Sequence, residues 1–159
     1  MCVVMARKKI TNIKTNYRDK KPNYEIRMEI NLDRFERQYS KAQFGLDSMV
    51  MTDMVPYMPM QTGTFINVTK AMSAALAGSG KVVAAAPPMG RFLYEGKVMV
   101  DPETNSPWAR KGAKKIVTEK DLQYNKNAHP KATDHWFDAA KKEYGDEWVA
   151  YVKKVAGGG

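Results

Sequence analysis

Residues 33–54 read DRFERQYSKAQFGLDSMVMTDM, and their spacing decides the fold. Phe35, Tyr39, Ala42, Leu46, Met49 or Val50, and Met54 recur at steps of three and four. On an α-helix such steps stack side chains on one face, so the stretch predicts an amphipathic helix of roughly six turns. Asp33, with Glu36 three residues on, resembles a capping box at its start. Gly45 weakens the helix slightly, and Pro56 with Pro59 ends it, since proline has no amide to continue the ladder. The helix is expected over 33–55.

Upstream, YEIRMEI at 24–30 alternates. Tyr24, Ile26, Met28 and Ile30 share one face and Glu25, Arg27 and Glu29 the other, which predicts a strand with one wet side. Residues 1–21 show no sustained periodicity but hold seven basic residues against Asp19, six of the chain's nine excess positive charges. They read as a basic flexible leader. Such a segment binds polyanions loosely or keeps a chain in solution, and the second is the plainer reading. The opening MCVVMARKK has too few apolar residues, placed before the charge, to be a secretory signal. No apolar run approaches the ~20 residues that cross a bilayer. A soluble protein made in the cytoplasm is expected, and the lone Cys2 makes neither an internal disulfide nor a metal site.

Downstream, TFINVTKAMSAALA at 64–77 can be read two ways: it is β-branched in its first half and alanine-rich in its second, which allows a strand passing into a helical turn. KVVAAA at 81–86 suits a buried strand, and the intervening Gly-Ser-Gly supplies a tight connection. Residues 97–131 are the least regular, with β-like pieces at 97–100 and 115–118. An arm over about 97–128, a β-hairpin or a binding loop, is expected to reach away from the body. TDHWFDAAKKEYGDEWVAYVKKV at 133–155 is a second amphipathic helix. Trp136, Ala140, Tyr144, Trp148, Tyr151 or Val152, and Val155 form its stripe, with a kink allowed at Gly145. Six of eleven methionines lie between Met49 and Met72, which suits either core filling or a surface that accommodates partners. The fold class is α+β. One domain over 22–159 has an antiparallel sheet packed by the long N-terminal helix and a C-terminal helix near 132–155, with an extended β arm.

Candidate chemistry is sparse. GSGK at 78–81 has the residues of a phosphate-cradling loop, yet Ala75 stands where a Walker motif needs glycine and Val82 where it needs a hydroxyl. The loop also opens an apolar β run instead of a helix, so it is read as a turn. His129 and His135 are six apart, the wrong spacing for a helical metal pair, and neither has the acidic or thiolate company of a metal site. WARKGAKK at 108–115 sets Arg110, Lys111, Lys114 and Lys115 beside Trp108, a set that tracks phosphates and stacks on a base, or forms a solvated loop.

The stretches YMPMQTGTFINVTKAMSAALAGSGKVVAAAPPMGRFLYEGKVMVDPETNSPWARKGAKK (57–115) and HPKATDHWFDAAKKEYGDEW (129–148) resemble the minor capsid proteins of tailed phages and prophages of Gram-positive bacteria. That group is similar to the tail-completion (head–tail connector) family of the phage neck. The shared features are a long helix, a Pro-x-x-Thr-Gly-x-aromatic turn (Pro59, Thr62, Gly63, Phe65), a β region with Tyr94-Glu95-Gly96, and a closing element from His129-Pro130 through Trp136. The resemblance covers about residues 24–156. It departs at Gln61, where an acid is common, and at Pro88-Met89-Gly90, in place of an aromatic-small pair.

The resemblance implies a structural virion protein and no enzyme: a ring, with a hexamer favoured over a dodecamer, joining the portal and head-closure complex to the tail tube. Its implied partners are its own copies, the head-closure or adaptor protein, the tail terminator or tail tube protein, and genomic DNA in the lumen. No cofactor, metal or membrane is implied, and the location is the virion neck after assembly in the bacterial host cytoplasm. Arg110, Lys111, Lys114 and Lys115 are its candidate channel or partner contacts. The alternatives are a basic nucleic-acid-binding protein acting outside a particle and a small nuclease using His129 and His135.

Overall fold

The computed structural model describes residues 32–157, with the backbone of three strands before them: β1 (Cys2–Val4), β2 (Ile13–Arg18) and β3 (Glu25–Ile30). β1 and β2 fall inside the stretch read as a leader; the rest of that stretch, its side chains and the expected facing of Tyr24 to Ile30 lie outside the described residues. Then follow α1 (Asp33–Met54), α2 (Thr64–Ala74), β4 (Lys81–Val83), α3 (Gly90–Glu95), β5 (Lys97–Val100), β6 (Ile116–Asp121) and α4 (Trp136–Val155). The class is α+β, as expected. The strands form three two-stranded antiparallel ladders, β1 with β4, β2 with β3 and β5 with β6.

The deciding helix runs as its spacing predicts, and its C-terminal half carries the burial. Ala42, Val50, Met51 and Met54 are in the core, with Leu46 and Met49 packed against it. Phe35 and Tyr39, on the same stripe, stay half-exposed. The capping box does not form: Leu32 occupies the cap position without a side-chain cap bond, and Asp33 and Glu36 lie in the first turn, where their charge suits the helix dipole. Val55–Tyr57 tightens into a 3-10 turn around Pro56.

α1 packs chiefly on α4, which stays helical through Gly145 and buries Trp136, Ala140 and Trp148. The indole Nε1 of Trp148 donates to Asp53 Oδ2 at 2.7 Å, tying the two helices polarly as well. Gly45 belongs to this contact, because a Cβ there would sit 1.7 Å from the Tyr151 hydroxyl.

Residues 64–74 are a helix from the start, which corrects the reading of a strand there. Ile66, Thr69 and Ser73 are its buried residues, at helical and not alternating steps. Ser73 Oγ donates to the Val83 carbonyl and accepts from the Val83 amide, both at 3.0 Å, and Thr69 Oγ1 accepts from the Ala86 amide at 3.2 Å. The hydroxyls thus satisfy backbone groups along and beyond β4 that would otherwise be buried without a partner. The expected β region at Tyr94-Glu95-Gly96 is likewise corrected. Tyr94 and Glu95 end α3, and Gly96 closes it in the left-handed region at φ 68°.

α3 begins where Gly90 presses its backbone onto Ala85. A Cβ at 90 would meet the Ala85 carbonyl carbon at 2.6 Å, and both residues are buried. Alanine favours a helix by about 1 kcal/mol over glycine, yet here we expect Gly90→Ala to destabilise the protein by roughly 1–3 kcal/mol, as overpacking does. Urea unfolding checks this; an unchanged or raised midpoint would contradict the close approach.

The arm is a hairpin whose base is fastened to the body. Met99 is buried, the Leu122 amide donates to the Gly96 carbonyl at 2.8 Å, and Tyr124 Oη donates to the Leu93 carbonyl at 2.6 Å. The part between the strands stands largely exposed.

Candidate interaction surface

Gly63, Phe65, Tyr94, Gly96 and Trp136, singled out in the sequence, are far apart along the chain and meet at one corner of the fold. Gly63, at φ 78°, caps α2 and delivers Phe65 to the edge of Trp136, ring centres 5.9 Å apart. Tyr94 meets Trp136 edge-on at 4.8 Å. Trp136 Nε1 donates to the Ala84 carbonyl at 2.8 Å, so the indole is apolar on its faces and satisfied at its polar edge. The loop before α4 is pinned by main-chain bonds: Thr133 N donates to Tyr57 O and His135 N to Tyr94 O, both at 3.0 Å. A Cβ on Gly96 would lie 2.7 Å from Asp134 Cβ, so this glycine is needed for approach as well as for its backbone angle. Pro59 and Thr62 lie outside the packed rings and line a neighbouring groove.

That groove holds about 360 Å³. Met60, Phe65, Met89 and Leu93 give it apolar walls, while Gln61, Thr62, Gln123 and Asn125 supply neutral polar groups. Among the described residues no charged one lines it. Beside it lie acids. Asp134 and Glu95 flank His135 at 3.5 and 4.0 Å, and Tyr124, a groove wall, has Asp134 for a neighbour. Burial first, then the Asp134 charge, pushes the Tyr124 hydroxyl up to about 12. Burial first, then Asp138 and Glu95, does the same to Tyr94, again to about 12.

The four candidate cations of the hairpin part ways. Asp101 is fully buried, and its carboxylate accepts from the amides of Glu103 (2.9 Å), Thr104 (3.2 Å) and Arg110 (3.1 Å). Arg110 Nε and Nη2 donate to the same carboxylate at 3.0 and 3.2 Å, and its Nη1 donates to Glu103. Arg110 is therefore the staple of the turn. Its guanidinium, then the backbone amides, hold the Asp101 carboxyl well below the usual carboxylate range. A carboxylate whose pKa is depressed by folding contributes stability above its unfolded pKa and loses it only as pH falls through the folded value, so the staple persists across neutral and mildly acidic pH. Lys115 lies over the Phe92 ring at 5.1 Å. Lys111 and Lys114 are exposed, and Trp108, just before the staple, is 84% exposed.

Sequence reasoning missed Asp101, whose signal was an Asp-Pro turn with an arginine nine residues on. It also missed the groove, because Met60, Met89 with Leu93, and Tyr124 come from three segments that only folding brings together.

The Gly-Ser-Gly-Lys stretch is a turn, as read. Its anion-binding amides are occupied from within: Asp47 Oδ2 accepts from Gly78 N at 2.7 Å and Gly80 N at 3.1 Å. The two histidines act in separate places. His129 Nδ1 donates to the Met58 carbonyl at 2.8 Å, and His135 occupies the cap position of α4. Among the described residues no group of three or more His, Cys, Asp or Glu is placed to hold a metal, and no helix is long and apolar enough to cross a membrane. Comparison of the chain with protein-family models, with curated proteins and with solved structures finds no match.

Proposed function

We propose that this chain is a structural protein of the phage neck, a ring-forming head–tail connector set between the portal and head-closure complex and the tail tube. One observation carries the reading. The residues through which the sequence resembles that family, from Gly63 and Phe65 through Tyr94 and Gly96 to Trp136, build a single packed joint. A shared motif that makes a joint of aromatic rings and capping glycines serves a scaffold; a shared motif of a catalyst would gather titratable groups around a cleft. The fastened hairpin with an exposed tip adds a second support, since a closing ring needs one surface to dock a different surface on the next copy.

The test is to purify particles released by the bacterium that carries the gene and to quantify the chain by mass spectrometry. The expected result is the chain in particles at the stoichiometry of a hexamer, and unjoined heads and tails when the gene is deleted. Particles that lack the chain overturn the proposal. Duplex-DNA binding that weakens steeply with salt, together with absence from particles, would favour a nucleic-acid-binding protein acting alone.

A further inference from the structure

We infer that Trp108 of one copy seats in the groove between the Pro59–Ile66 segment and α3 of the next copy, with Lys111 and Lys114 against Glu95 and Asp134 at its edge. The inference rests on the neck proposal only for the closing of the ring. Three observations carry the contact itself.

Trp108 is the most exposed large apolar side chain described, whereas Trp136 and Trp148 are buried. An indole left in water on a flexible loop would gain little by docking, because ordering the loop offsets the burial. Here the loop is already ordered. The Asp101–Arg110 staple closes it, and the Trp108 amide donates to Ser106 Oγ at 3.1 Å. Tryptophan is among the residues enriched at interface hot spots, and pre-organisation lowers the cost of docking it.

The groove matches an indole chemically. Its walls are apolar and rich in methionine, which adapts to a flat ring, and its polar residues Gln61, Gln123 and Asn125 offer acceptors for the indole N–H. Its described lining residues carry no charge to pair with a buried lysine or carboxylate, which disfavours a charged occupant.

The charges around knob and hole are opposite. Lys111 and Lys114 follow Trp108 within six residues, past a tight turn in which the Ala113 amide donates to the Arg110 carbonyl at 3.0 Å. Glu95, two residues after the wall residue Leu93, and Asp134, whose charge acts on the wall residue Tyr124, are both about half-exposed. Knob and hole are different surfaces of one chain, so the contact is head-to-tail and propagates beyond a dimer.

Sedimentation of the full chain over a range of concentrations tests this. The wild type is expected to associate past dimers. Trp108→Ala removes the knob and should weaken association about thirty-fold or more, as loss of an interface anchor does. Gln123→Trp blocks the hole from an exposed rim position and should do the same. Both sites are exposed, so the thermal midpoint should stay put in each. Mixed together, the two variants leave one intact knob and one intact hole, and the mixture should stop at a heterodimer. A wild type that is monomeric throughout, a Trp108→Ala variant that associates like wild type, or a mixture that forms no heterodimer overturns the inference. So does loss of duplex-DNA binding in Trp108→Ala with association unchanged, which would assign the knob to nucleic acid. The neck proposal fails separately: capped heterodimers with no chain in particles would sink that reading and leave this contact standing.

Discussion

Replacing Trp136 by alanine will lower the free energy of unfolding by roughly 3–5 kcal/mol, the range for losing a large aromatic from a packed core. The side chain is wholly buried and joins three segments at once. Phe65 of α2 and Tyr94 of α3 meet its ring, and the Ala84 carbonyl just after β4 takes its N–H. Alanine leaves a cavity that these elements cannot jointly collapse into, and it also orphans the carbonyl. A domain of this size holds about 5–15 kcal/mol in all, so the variant will sit near the edge of folding. Trp136→Phe separates the two contributions: it keeps most of the packing and loses the hydrogen bond, and should cost about 1–3 kcal/mol. Urea unfolding followed by circular dichroism measures both, and a Trp136→Ala loss below that of Trp136→Phe would refute the corner as a joint.

Asp47→Ala should cost about 2–4 kcal/mol, a large figure for a polar residue. The carboxylate is 2% exposed and accepts three hydrogen bonds, from the amides of Gly78 and Gly80 and from Gln43 Nε2 at 2.7 Å. Removing it takes the acceptor from the buried Gly80 amide and a hydrogen bond each from the part-buried Gly78 and Gln43, and desolvation of the Gly80 donor adds to the loss of the bonds themselves. Asp47→Asn should be no milder than about half of that, since an amide offers one acceptor oxygen and turns its NH₂ toward donors. Amide exchange at Gly78 and Gly80 should accelerate ahead of global unfolding in both variants. Unchanged exchange would show that the turn is held by its own backbone and not by α1.

These two residues show how much of the molecule was legible in the sequence. Trp136 sits on the apolar stripe of a helix, and spacing at three and four residues placed it in the core before any coordinates. Asp47 lies inside α1 at the edge of its apolar stripe, where periodicity alone gives no reason to bury a carboxylate. What makes a buried carboxylate tolerable is a glycine turn more than thirty residues away, and local pattern carries no information on that return.

By itself the sequence determined the two long helices, the β4 strand, both strands of the arm and the turn at Gly78–Gly80. Each depends on spacing or on backbone freedom within a few residues. Tertiary structure decided the rest. Residues 64–69 are β-branched enough to favour a strand, but as a helix they turn Ile66 into the core and Thr69, with Ser73 beyond, onto the backbone of the strand region; burial and hydrogen bonding outweigh a propensity worth tenths of a kcal/mol per residue. Arg110 reads as one cation among four until the chain closes on Asp101. Only that closure makes it a staple, and it leaves Trp108 held outward beside the exposed Lys111 and Lys114.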